Sequence, residues 1–202
     1  MPKTRQPRSG SLQVWPRVRS ERVYAHVRSW PPSKDIKLLG FAGYKVGMTH
    51  IIMTNNSKQS ITKGMDISVP VTIIECPPIK IASIRFYQND ISGARVVSEI
   101  LAENLDKELA RKIQLPKKKE RSTVPQHFDY IHALIYTQPK LTGIGKKKPE
   151  VFEIAIGGKK EDQLKYAQEK LGKEITLEEV FKPGAHVDMH GVTKGKGVQG
   201  PV

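Results

Sequence analysis

Residues 67–87 read "ISVPVTIIECPPIKIASIRFY", two strand-like runs at about 69–76 and 79–87 hinged at Pro77-Pro78. In the second run Lys80, Ala82, Ile84 and Phe86 alternate with Ile79, Ile81, Ser83, Arg85 and Tyr87. Neither set is cleanly polar. That pattern suits a sheet covered on both sides or a small closed barrel. The lone cysteine of the chain, Cys76, ends the first run, which favours a structural thiol over a reactive one.

Working outward, "IKLLGFAGYKVGMTHIIMT" (36–54) reads as two short strands with glycines at bends. In "SEILAENLDKELARKI" (98–113), Leu101, Leu105, Leu109 and Ile113 recur every four residues and Pro116 follows, which predicts a helix. "DYIHALIYTQ" (129–138) and "VFEIAI" (151–156) are again strand-like. A helix is expected over about 160–171, with Glu161 and Asp162 in its first turn, Lys170 in its last and Gly172 beyond it. Thr176 and Glu179 have capping-box spacing, and "AHVDM" (185–189) reads as a final strand. The fold class expected is mainly β with an α+β insertion at about 90–180. Its core is a small closed or split β-barrel over 36–202, and residues 1–35 form a basic extended tail.

The 202-residue chain carries a formal net charge of +14. Polyanions are the natural partners of such a chain, nucleic acid before membrane, because no apolar run approaches a bilayer span. No apolar segment follows the basic N-terminus as a signal peptide requires. One cysteine rules out an internal disulfide and a multi-thiolate zinc site, consistent with a reducing, cytoplasmic setting. Residues 1–34 hold eight Lys/Arg against Glu21 alone, a net of +7, with five prolines. Such a segment buries too little apolar surface to offset its ordering entropy. Trp15 lies deep among the arginines, where guanidinium and indole planes suit stacking on bases. Trp30 is open between the protein's own core and a partner. So are the lysine runs "PKKKER" (116–121) and "PKLTGIGKKKP" (139–149) between a solvated loop and an RNA contact.

"HGVTKGKGVQGPV" closes the chain at 190–202. It fails as a nucleotide-binding P-loop. Gly191 to Gly195 is one residue too short, Gly197 stands where a hydroxyl belongs, and no helix can begin at "VQGPV". Its glycines still let a backbone approach phosphates, and Lys194 and Lys196 supply charge. His186 and His190 lie four apart but without a third ligand at suitable spacing, so no metal site is expected; His127 and His132 read likewise as surface or RNA-facing residues. No nucleophile–base arrangement is present, so no catalytic residue and no cofactor are assigned.

"FAGYKVGMTH", "VPVTIIECPP", "IYTQ" and above all "HGVTKGKGVQG" resemble large-subunit ribosomal protein L-three in its archaeal and eukaryotic form. "SGSL" (9–12) with its arginine-rich continuation is similar to that form's tail. The most specific part runs from Phe181 to Gly200. The family pattern there is fitted by Phe181, Asp188, Gly191, Thr193, Gly195, Lys196, Gly197 and Gly200. It then expects an arginine that would fall beyond Val202. The family also continues to complete its barrel and to carry a loop towards the peptidyl-transferase centre, so Val202 is expected not to be a natural terminus. The resemblance implies a non-enzymatic constituent of the large ribosomal subunit, acting early in assembly. Its implied partners are 23S-type rRNA and neighbouring large-subunit proteins. The residues expected to meet RNA are Arg5, Arg8, Trp15, Arg17, Arg19, Arg22, Arg28, His190, Thr193, Lys194, Gly195, Lys196 and Gly197. An isolated RNA-binding or RNA-chaperone module stays open as an alternative, and a phosphate-handling enzyme as a remoter one.

Overall fold

The computed structural model describes residues 18–116 and 124–197. Clustered by contact they form two units. One is residues 29–185; in the other, 18–28 associates with 186–197.

The larger unit is mainly β. Strands β1 (Tyr44–Thr54) and β2 (Asp66–Glu75) form an antiparallel hairpin. Strands β3 (Ile79–Asp90), β4 (Gly93–Leu101), β5 (Tyr130–Tyr136) and β6 (Val151–Ala155) form a second sheet in the order β4-β3-β5-β6. Helix α1 (Lys160–Lys170), the short strand β7 (Glu174–Ile175) and helix α2 (Leu177–Val180) follow, and β7 pairs with the start of β3. The Pro77-Pro78 hinge therefore marks the passage from one sheet to the other, since neither proline can donate a ladder hydrogen bond.

A β-bulge explains why β3 shows no clean alternation. Ile81 faces Ile135 on β5 and Ser83 faces Leu134, leaving Ala82 as the extra residue. The phase flips there. Ile79, Ile81, Ile84 and Phe86 consequently all enter one core with Ile131, Ala133, Ile135, Ile154 and Ala167. The opposite face carries Ala82 with Leu134, Tyr136 and Val151, covered by Leu105, Leu109 and Leu115. Beyond that cover the face turns polar and aromatic.

Residues 33–39 run along the free edge of β6. Leu39 N–H donates to Ala155 O at 3.0 Å, and Gly157 N–H to Lys37 O at 2.8 Å. Leu38 is fully buried. A Cβ on Gly157 would lie 2.4 Å from Asp35 O, so only glycine fits. Trp30 packs on the main core, its ring against Gly40, which settles its open reading in favour of the core.

Both strands of 67–87, the strands β5 and β6, helix α1 and the glycine stop at Gly172 (φ +74°) stand as read. The Glu179 carboxylate accepts the Thr176 N–H at 3.4 Å. Three expectations are corrected. The helix over 98–113 is absent: its first part continues β4 against β3, and only Lys107–Arg111 makes a 3-10 turn. The edge of β3 offered ladder hydrogen bonds that outweighed a period-four leucine pattern. Second, residues 36–54 yield one long strand, with Leu38 in an isolated bridge to Ile156. Third, 185–189 lies unpaired rather than in a strand. Neither sheet closes on itself among the described residues, and the segment read as an insertion supplies most of the larger sheet.

Candidate nucleic-acid interface

Helix α2 ends at Phe181, which is half-buried against the main core. After Gly184 (φ +80°) the chain leaves regular structure, and residues 186–197 are exposed throughout. His190, Thr193, Lys194, Gly195, Lys196 and Gly197 therefore present a continuous accessible backbone. Nothing lies within 4 Å of the space a Cβ would occupy on Gly191 or Gly195, and Gly197 has φ +67°. Such a loop can bring its amides against a phosphate chain, with two ammonium groups beside it. His186 and His190 share no metal-binding group of three among the described residues.

Residues 18–28 belong to the same unit as that loop. They form no helix or strand; Ser20 Oγ donates to Arg22 O at 2.6 Å in a local turn. Arg19, Arg22 and Arg28 are exposed, while Tyr24 is half-buried. The fold thus brings three predicted RNA-facing arginines into one unit with all six predicted loop residues. Arg5, Arg8, Trp15 and Arg17 lie outside the described residues, as does the run 117–121 of the first lysine cluster.

The chemistry on the polar face of the larger sheet is different. The Glu153 carboxylate accepts from Arg85, from Tyr87 Oη at 2.6 Å and from His132 Nδ1 at 3.4 Å. Burial works against its charge, but these donors outweigh it and hold the carboxyl at about 2, below its ordinary 4.5. Arg85 Nε also donates to Glu99 at 3.0 Å, and Tyr87 stacks on Tyr130 with centroids 5.1 Å apart. His132 is therefore not an open RNA-facing residue but a member of a satisfied network. Cys76 is half-buried and burial raises its thiol pKa, as suits a structural cysteine.

The family model described as Ribosomal protein L3 matches residues 1–130 and 121–202. The chain belongs to the ribosomal protein L3 family. Among curated relatives it is 45% identical over 206 residues to large ribosomal subunit protein uL3 of Archaeoglobus fulgidus, covering 99% of this chain and 62% of that protein. It is 44% identical over 205 residues to the uL3 of Methanobrevibacter smithii, covering 98% and 61%. For Methanocaldococcus jannaschii the figures are 45% over 204 residues, 97% and 61%. The chain thus spans a little over three-fifths of the length of these relatives. Within this L3-family chain the motif Phe181–Gly200 divides physically: its first residue is an apolar anchor on the core, and the described remainder is solvent-facing backbone.

Proposed function

We propose that this chain is a structural, rRNA-binding constituent of the large ribosomal subunit. The observation that carries the reading is the match to an L3 family model across the chain, together with an exposed Gly-Lys loop in one unit with exposed arginines. The partners are 23S-type rRNA and adjacent large-subunit proteins, the setting is the cytoplasmic ribosome, and the role is architectural rather than enzymatic. It includes support of subunit assembly and of rRNA organisation near the peptidyl-transferase centre. No helix among the described residues is long and apolar enough to cross a membrane.

The barrel belongs to this reading as well. The β1–β2 hairpin exposes Val46, Met48, Ile52 and Ile73, by 60%, 64%, 80% and 48% respectively. An isolated hairpin with bare apolar residues is marginal in water, so closure of a barrel around it is the arrangement that favours its burial. Of the tail expected over residues 1–35, the part up to Arg28 acts as the RNA-binding arm, while 29–35 pack on the body that continues from them.

The test is sedimentation. The chain should accompany large-subunit particles at one copy each through a high-salt gradient and leave them on nuclease digestion. Loss at moderate salt would favour a transient RNA chaperone instead. Saturable nucleotide binding by the free chain would favour the phosphate-handling reading.

A further inference from the structure

An open cleft of about 370 Å³ lies between the 3-10 turn Lys107–Arg111 and the loop 139–149. It is lined by Arg111, Lys140, Lys146 and Lys147, with Glu108 as the single carboxylate and Thr142 among the polar groups. Some of this charge is already used. Lys140 Nζ lies 3.4 Å from Glu108, and Lys146 is paired with Glu150. Arg111 and Lys147 have no carboxylate partner among the described residues. Two exposed cations from different segments, one on each wall, therefore line the cleft with no carboxylate paired to either, and the positive potential they add favours an anion there.

The loop wall is built to hold its shape. Thr137 and Glu150 close its base, with Thr137 N–H donating to Glu150 O and Glu150 N–H to Thr137 Oγ1, both at 3.0 Å. Gln138 Nε2 donates to Pro78 O at 2.9 Å, and Thr142 Oγ1 to Pro139 O at 2.7 Å. Above this base the backbone is bare: no atom lies within 4 Å of a Cβ built on Gly143 or Gly145. The lining has no apolar side chain except Pro139. A groove for an acidic peptide would need pockets for side chains. A sugar–phosphate chain needs only cations and close access to backbone, and that is what this cleft offers.

We propose that this cleft is a separate RNA-backbone site, in which Arg111 and Lys147 flank a phosphate run lying against Gly145. The inference rests on the rRNA-binding reading and adds to it a second point of attachment, on the folded body, distinct from the Gly-Lys loop at 191–197.

The experiment compares the full 202-residue chain with an R111E/K147E pair and a K165E/K173E control of equal charge change. Lys165 and Lys173 are exposed and lie outside the cleft. Each protein is titrated against large-subunit rRNA over a salt series, and phosphate-ethylation interference is mapped on the same RNA. The cleft variant should lower the salt slope by about 1.4–1.8, at 0.7–0.9 for each of the two lost contacts. A discrete set of interfering phosphates should disappear with it, while the control keeps that set. An R111A/K147A pair reports the same loss if charge reversal disturbs the melting curve. Unchanged slope and interference would overturn the site, including the case in which an acidic protein segment is its real occupant. Equal slope losses in variant and control, with every interfering phosphate retained, would reduce it to general electrostatics and overturn it too. Both results leave the rRNA reading standing. If the unaltered chain binds unrelated RNA as well as large-subunit rRNA, that reading falls and this inference with it.

Discussion

Tyr87 on β3 donates its hydroxyl to Glu153 on β6 across 2.6 Å, spanning β5 between them. Arg85 and His132 reach the same carboxylate from β3 and β5. One charge thus ties together three strands on the polar part of this face.

The carboxyl of Glu153 is held at about 2 against an ordinary 4.5. A depressed folded-state pKa contributes stability that is complete above the unfolded value and lost as pH falls towards the folded one. Thermal stability should therefore drop between about pH 4.5 and pH 2. Glu153→Gln should cost about 1–3 kcal/mol at pH 7, because it removes the charge that Arg85 and His132 face. It should also flatten the acid limb. Melting curves across the range check this; parallel pH profiles for the two proteins would contradict it.

Gly157 should tolerate no side chain. Gly157→Ala places a Cβ 2.4 Å from Asp35 O and pushes residues 33–39 off the edge of β6. A loss of roughly 1–3 kcal/mol is expected from such overpacking. Gly143→Ala, with open space around it, is the control and should be near neutral. Denaturant midpoints for the two variants would separate them.

Trp30 and the arginines before it should behave differently. Trp30→Ala removes a half-buried ring from the core and should lower stability by about 2 kcal/mol. The salt slope of RNA binding should stay as it was, since no cation is lost. A variant of normal stability with weakened RNA affinity would place Trp30 in the interface instead.

In the Gly-Lys loop, Gly197→Val should harm rRNA affinity more than Lys194→Ala. Gly197 has φ +67°, which valine adopts only with strain, and the branched side chain blocks backbone approach. Roughly tenfold loss is expected for Gly197→Val, equal to about 1.4 kcal/mol. Filter binding with full-length rRNA reads both; equal, negligible losses would make the loop a connector.

How far the sequence carried these arguments depended on whether a feature was local. The proline hinge, the Gly172 stop and the Thr176/Glu179 spacing are set by neighbours along the chain, and all were legible. The bulge at Ala82 was not, because it exists only relative to Ile135 and Leu134 on a strand some fifty residues away. The leucine run misled for the same reason. Leu105 and Leu109 do pack, yet on a 3-10 turn and its approach, while Leu101 ends a strand whose register is dictated by β3. The Gly-Lys loop was legible from composition and family pattern. Of the cleft, the lysine run at 139–149 was raised as an open RNA contact, but its meeting with Arg111 was not legible, since the two segments come together only in the fold.

The N-terminal arm provides the last test, and the fold decides where to cut. Deleting residues 1–34 would strip Trp30 from the core and Ser33 from its contact with Gly158, whose N–H donates to Ser33 O at 2.9 Å. Loss of binding would then be confounded with loss of fold. Residues 1–28 avoid this, and they hold seven of the eight tail cations, Lys3, Arg5, Arg8, Arg17, Arg19, Arg22 and Arg28, opposed by Glu21. Each cation that reaches a phosphate contributes about 0.7–0.9 to the slope of log affinity against log salt. With most but not all engaged, deletion of 1–28 should reduce that slope by roughly 4–5. The melting temperature of the body should change little, because Trp30, the edge segment 33–39 and both sheets remain. Titration of full-length and shortened chains against large-subunit rRNA and an unrelated RNA of equal length measures the slopes. An undiminished slope would show that phosphate contact resides elsewhere, on the Gly-Lys loop and the folded body.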